Sequence, residues 1–134
     1  MNRPKYLLDS YALLAYFQAE PAGAKVRNIL KEAAAGAAKA FLSVINLGEI
    51  YYIVARKRGE TEAGVITEAI SRLPVGLVDA TKERVLAAAR VKAQHPVSYA
   101  DAFVVATAIE FTATIVTGDP DFKETESRAA VLWL

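Results

Sequence analysis

Short apolar runs that alternate with helix-length amphipathic segments constrain this 134-residue chain more than any other feature. Residues 6–8 (Tyr-Leu-Leu), 40–42 (Ala-Phe-Leu), 76–79 (Gly-Leu-Val-Asp), 114–116 (Thr-Ile-Val) and 131–134 (Val-Leu-Trp-Leu) read as strands. Between them lie helical patterns with recognisable ends. Ser10 caps the first, which carries Leu13, Leu14 and Phe17, and Pro21 opens a second with Val26, Ile29 and Leu30 on one face. The alanine-rich stretch 33–38 is a good helix former in which a single Gly36 costs about 1 kcal/mol. Ser43 caps a third helix that runs to Arg58 and stops at Gly59. A fourth covers 61–73 and closes at Pro74, a fifth runs from its cap Thr81 to His95-Pro96, and Ser98 starts a sixth, apolar at Val104, Val105, Ala108 and Ile109. Such alternation predicts a three-layer α/β/α sandwich around a mainly parallel sheet.

The length suits one domain over residues 1–134, and a hydrophobic share of 54% is ample for its core. With no cysteine, neither a disulfide framework nor a thiolate metal site is available. The N-terminus has the basic-then-apolar order of a signal peptide, but Asp9 interrupts the apolar stretch and no small-residue cleavage site follows. No apolar run reaches the roughly 18 residues that a membrane span needs, so a cytoplasmic protein is expected. A net charge of +1 says little about partners, and the placement of the charges matters more than their sum.

Four of the 15 acids stand in unusual places. Asp9 directly follows Tyr-Leu-Leu, and Asp119 sits just past Thr-Ile-Val-Thr-Gly, so both fall at the C-terminal ends of apolar strands, the edge where open parallel sheets bind ligands. Glu49 lies one turn from both Ile45 and Ile53, on an apolar stripe, and Asp101 lies likewise between Val97 and Val105. Each has a plainer explanation. Asp9 can simply end a strand, Asp101 has capping-box spacing from Ser98, Asp119-Pro120 is ordinary turn chemistry, and Glu49 can form an internal salt bridge. Glu49 resists this treatment best, because a mid-helix acid between isoleucines has no capping role.

Together the four carry more weight. Two like charges about 4 Å apart repel by roughly 4 kcal/mol at an effective dielectric near 20. Four gathered carboxylates therefore raise their pKa values or recruit a cation. All-oxygen ligands favour Mg²⁺ or Mn²⁺, and bound divalent ions suit phosphodiester hydrolysis because they activate water and stabilise the leaving oxygen. A Ser/His/Asp triad fits poorly, since the single histidine, His95, precedes Pro96 in a loop, and no GxxxxGK phosphate loop is present.

Four segments in order, Tyr6-Leu7-Leu8-Asp9-Ser10, Ser43-Val44-Ile45-Asn46-Leu47-Gly48-Glu49, Ser98-Tyr99-Ala100-Asp101-Ala102 and Thr117-Gly118-Asp119-Pro120-Asp121-Phe122, resemble the PIN-domain family, particularly the small VapC-type toxins of toxin–antitoxin pairs. The resemblance covers essentially the whole chain. It implies an acidic catalytic and metal-binding quartet at Asp9, Glu49, Asp101 and Asp119, with Asp121 as an auxiliary acid. It also implies that Ser10 and Thr117 hydrogen-bond the ligands or the phosphate, and Asn46, one turn before Glu49, is placed to orient it. The likeness also implies Mg²⁺ or Mn²⁺, and an RNA substrate, a homodimer and a cognate antitoxin follow from it alone. One departure is Tyr11, where the pattern has a small polar residue after Asp-Ser, and it bears on the hydrogen bonding around Asp9.

Arg56, Lys57 and Arg58 close the helix that carries Glu49. They read either as cations favourably placed at a helix C-terminus or as a phosphate-positioning patch for RNA. Tyr11, Tyr16, Phe17, Tyr51 and Tyr52 offer stacking surfaces for bases but equally serve as packing. Three rivals stand beside a toxin endoribonuclease. They are a non-catalytic PIN-like module that holds RNA or protein, a PIN nuclease of RNA processing, and a phosphoacceptor receiver domain, the last disfavoured because Ser10 rather than a second acid follows Asp9.

Overall fold

The computed structural model describes residues 3–134. In chain order the elements are β1 (Lys5–Leu8), α1 (Ser10–Phe17), α2 (Gly23–Ala34), β2 (Lys39–Ser43), α3 (Val44–Arg58), α4 (Glu60–Ser71), β3 (Gly76–Val78), α5 (Lys82–Gln94), α6 (Tyr99–Phe111), β4 (Thr114–Thr117), a 3₁₀ turn (Pro120–Thr125) and β5 (Val131–Trp133). The strands form one sheet in the order β3-β2-β1-β4-β5, and every neighbouring pair is parallel. This order differs from the 2-1-3-4-5 arrangement of flavodoxin-like receiver folds.

Period-two alternation in the strands divides the core between the two faces. Leu8, Leu42 and Val116 pack with Leu13, Val26, Ile50, Val54, Ile66 and Ile70 of α1 to α4. Leu7 and Ile115 point the other way, onto Val91, Phe103, Val104 and Val105 of α5 and α6. The expected three layers follow directly. Helix α6 buries Ala102, Phe103, Val104, Val105, Thr107 and Ala108, so it is apolar on most of its circumference and lies deep in its layer.

Several ends differ from their sequence reading. Helix α1 is capped by Asp9, whose side chain accepts from the Ala12 N–H, and Ser10 is its first residue. The sequence pattern could not separate two adjacent good caps. Pro21 sits in a turn, with its carbonyl accepting from Ala24 N–H, and α2 begins only at Gly23. Gly36 terminates that helix instead of interrupting it. At φ 78°, it donates to the Ala33 carbonyl while Ala37 N–H reaches the Glu32 carbonyl, the paired bonds of a Schellman end. Gly59, at φ 93°, ends α3 and starts α4 in a single residue, a step that a side chain would oppose.

The chain order reverses at β1. The first crossovers build outward through β2 and β3, and the chain then returns to place β4 on the other side of β1. A crevice opens at such a reversal, beyond the C-terminal ends of the two strands. Asp9 follows β1 and Asp119 follows β4.

Candidate active site

Asp9 is 3% exposed, and both of its carboxylate oxygens are engaged. Oδ1 accepts from the Ala12 N–H at 2.9 Å, closing the first turn of α1, and Oδ2 accepts from the Thr117 hydroxyl at 2.5 Å. Thr117, fully buried at the end of β4, also accepts from the Asp119 N–H at 3.0 Å. One hydroxyl thus ties the acid after β1 to the loop after β4. Tyr11 does not disturb this arrangement, because its ring turns toward Gly118.

Asp119 caps the 3₁₀ turn by accepting from the Asp121 N–H at 2.9 Å. Its plain turn role is therefore real, yet its carboxylate also groups with those of Asp101 and Asp121, with ligand oxygens all within 4.8 Å of one another. Asp101 likewise has a capping context, since its N–H donates to the Ser98 hydroxyl at 3.1 Å. Ser98 also favours the ionised form of the Asp101 carboxyl, and both residues line the cleft. Asp121, read from the sequence as an accessory, belongs to the tightest trio. The signal was Pro120, whose fixed φ starts the 3₁₀ turn that brings residues 119 and 121 together.

Glu49 is held from α1. The Ser10 hydroxyl donates to Glu49 Oε1 at 2.5 Å, and Asn46 Nδ2 donates to the Ser10 Oγ at 3.1 Å and to Glu49 Oε1 at 3.3 Å. Asn46 is buried, and its Oδ1 has no hydrogen-bond partner. The internal salt bridge considered for Glu49 does not form. Among the described residues the ion pairs are Arg72–Glu68 and Arg84–Glu110, and neither touches the cleft acids.

Asp9, Ser10, Tyr11, Glu49, Asp101, Asp119 and Asp121 line one cleft of about 270 Å³. Leu14 and Ile53, which the sequence places only on apolar helix faces, share that lining. Helical spacing was the available signal, because each lies four residues after a site residue, Ser10 and Glu49 respectively.

The electrostatics are those of crowded carboxylates. Burial raises the Asp9 carboxyl to about 7, opposed by the hydrogen bonds from Thr117 and Ala12 and reinforced by Asp101 and Asp119. Burial also raises Asp101 to about 6, followed in effect by the charges of Asp119 and Glu49. Because the Thr117 hydroxyl favours ionised Asp9, Thr117→Val is expected to raise the Asp9 pKa further and to destabilise the fold by about 1–3 kcal/mol. Titration of the Asp9 carboxyl by NMR in both proteins checks this, and an unchanged or lowered value contradicts it.

The donor set fits a hard divalent cation. Five carboxylates supply only oxygen, no lysine or arginine of the described residues pairs with them, and the trio has the spacing of ligands to a common centre. Four of the five acids, all but Glu49, also sit at helical N-termini, whose dipoles offset only part of the repulsion.

The basic triplet lies outside the cleft. Arg56, Lys57 and Arg58 are exposed at the end of α3, and the Arg56 guanidinium stands over the Tyr52 ring at 5.0 Å. Lys57 and Arg58 line a neighbouring depression together with Leu14 and Ile53, the residues that also line the acidic cleft. The two features are therefore contiguous. Tyr16 and Phe17 pack edge-to-face against each other, whereas Tyr11, Tyr51 and Tyr52 are exposed.

Residues 6–127 match the PIN domain family, and the chain belongs to it. No curated protein sequence matches the chain. In fold it is similar to VapBC2 from Rickettsia felis, solved bound to a DNA fragment from its promoter (TM-score 0.73, 15% identity, covering 96% of this chain and 97% of that one). It is also similar to VapC20 from Mycobacterium tuberculosis, a sarcin-ricin loop cleaving toxin (TM-score 0.66, 20% identity, 88% and 92% covered). A third similar structure is FitAcB from Neisseria gonorrhoeae (TM-score 0.66, 19% identity, 95% and 96% covered). No described helix is long and apolar enough to cross a membrane.

Proposed function

We propose that this protein is a divalent-metal-dependent endoribonuclease, the toxin of a VapBC-type pair, with Asp9, Glu49, Asp101 and Asp119 as its catalytic acids. The observation that carries the reading is the gathering of five carboxylates at the chain reversal between β1 and β4, with no cation among the described residues paired to them. Membership of the PIN family supports nuclease chemistry, and the likeness to VapBC structures supports the toxin role.

Asp101, Asp119 and Asp121 would hold Mg²⁺ or Mn²⁺, with Asp9 and Glu49 completing the donor set. When bound, such an ion activates water and neutralises charge on a phosphodiester. The rest is the work of the chain. Thr117 fixes Asp9 and the backbone of Asp119 relative to each other. Ser10 and Asn46 fix Glu49 through Oε1, so its rotamer is set before substrate arrives. Burial keeps Asp9, and to a smaller extent Asp101, partly protonated towards neutral pH, so a cation held there would compete with protons.

Lys57 and Arg58 extend the cleft as a phosphate-positioning track for single-stranded or structured RNA. Neutralising both to alanine is expected to weaken RNA binding and to reduce the slope of log K against log salt by about 1 to 2. A slope equal to that of the wild type would leave them as helix-end cations only.

The direct test incubates the pure protein with mixed RNA and Mg²⁺ or Mn²⁺, beside EDTA, Asp9→Asn and Glu49→Gln controls. Cleavage by the wild type alone is expected, and cleavage that survives EDTA or the substitutions would sink the proposal. Growth arrest on expression, relieved by the product of a neighbouring gene, tests the toxin role. A dimer of this chain with its antitoxin is expected, and light scattering of the complex checks it.

A further inference from the structure

We infer that Tyr11 is a base-stacking platform that seats one nucleobase of the RNA beside the acidic cleft, and so helps to hold the strand across it. The inference rests on the ribonuclease reading for the identity of the ligand. It is the one aromatic side chain of the cleft lining, where every other contributor is an acid, a serine or an aliphatic residue. Tyr11 is also 42% exposed, so part of its ring is open to solvent at the cleft.

Its position is held from below. A β-carbon at Gly118 would overlap the Tyr11 ring at Cε1 and Cζ and would come within 2.9 Å of its hydroxyl oxygen. Glycine at that point therefore lets the ring settle onto the loop that carries Thr117 and Asp119. The ring belongs to α1, two residues beyond Asp9, so its distance from the acids is set by one turn of helix and one tight contact. A platform fixed in this way loses little freedom when a base stacks on it, and stacking tolerates any base. The exposed Tyr51 and Tyr52 lie on α3 outside the cleft lining, and Tyr52 already carries the Arg56 guanidinium. Tyr99 is exposed too, but it packs against Phe103.

The plainer alternative is that Tyr11 only shapes the loop around Gly118. The two readings separate by experiment. Short single-stranded RNAs containing 2-aminopurine are titrated with the inactive Asp101→Asn protein and with the same protein carrying Tyr11→Phe, Tyr11→Ala or Gly118→Ala. Stacking quenches the fluorophore, so quenching is expected with tyrosine and phenylalanine and lost with alanine. Gly118→Ala, which displaces the exposed ring while keeping the residue, should resemble Tyr11→Ala. Affinity should fall roughly 5- to 150-fold for Tyr11→Ala. An RNA with an abasic site at the stacked position should show almost no difference between tyrosine and alanine.

Equal quenching by tyrosine and alanine proteins, no quenching by any of them, or an equal loss with intact and abasic RNA would overturn the inference. Thermal unfolding of each variant shows whether the fold is retained. The cleavage assay on the Tyr11 series in an otherwise wild-type background stands apart. Stacking without cleavage would refute the nuclease reading and leave Tyr11 as a base platform. Cleavage with no role for Tyr11 would do the reverse.

Discussion

Replacing Asp9 with asparagine is expected to lower RNA cleavage about a thousand-fold or more, while the metal-free variant melts at a higher temperature than the wild type at pH 8. The loss follows from removing one charge of the donor set, since a deficit of about 4 kcal/mol in transition-state stabilisation is already a thousand-fold. The gain in stability follows from burial. At pH 8 the wild-type carboxyl is ionised in a site that raises its pKa to about 7, so the fold carries the full cost of that buried charge. Asparagine keeps an oxygen for the Ala12 N–H, so the cap of α1 survives, while its Nδ2 can only donate to the Thr117 hydroxyl, which offsets part of the gain. A gain on the order of 1 kcal/mol corresponds to roughly 2 to 8 °C in melting temperature. Calorimetry in EDTA and a single-turnover cleavage assay measure the two effects. A variant that is both active and less stable would contradict the account of this residue.

The second large effect is on pH dependence. Asp9 and Asp101 both titrate above their unfolded value of 3.8, at about 7 and about 6. Between pH 4 and 7 the folded chain therefore holds more protons at these sites than the unfolded chain. The stability they confer is complete below the unfolded pKa and is lost as pH rises through the folded values. Metal-free protein should thus be more stable at pH 5 than at pH 8, with Asp9 dominating because Asp101 is partly solvated. Saturating Mg²⁺ should reverse the order, since cation binding stabilises the fold most where protons no longer compete. Melting temperatures across this range, with EDTA and with Mg²⁺, check both arms. The metal-free slope should vanish in the Asp9→Asn, Asp101→Asn double variant, and persistence of the slope there would assign it to other groups.

Much of this was legible in the residues. Asp9 and Asp119 could be placed at strand ends because Leu7-Leu8 and Ile115-Val116 are buried, uninterrupted apolar pairs, and parallel alternation then put both ends on one edge. Glu49 and Asp101 could be aimed inward because helical spacing left them among apolar neighbours. What periodicity could not supply was anything dependent on the exact turn. Gly36 looked like a blemish within a helix because the left-handed φ that makes it a terminator is a backbone property. Asp121 entered as an auxiliary acid through the family likeness, and its grouping with Asp101 and Asp119 depends on a 3₁₀ turn of six residues that has no apolar period to announce it. The Thr117 bridge between Asp9 and Asp119 spans 108 positions, and no local rule connects residues so far apart. Tyr11 appeared as a departure from pattern, and its accommodation by Gly118 became visible only when the two strand ends were side by side.

If the acidic cleft cuts RNA by metal-assisted hydrolysis, the new ends carry the signature of that chemistry. Attack by water produces ends without a cyclic phosphate, whereas metal-free cleavage through the ribose 2′-hydroxyl leaves a 2′,3′-cyclic phosphate. Mass spectrometry of oligonucleotide products from wild-type protein with Mn²⁺ should therefore find only linear phosphate and hydroxyl ends, and none of these products when EDTA is present. Cyclic phosphate ends, or the same products in EDTA, would contradict the account.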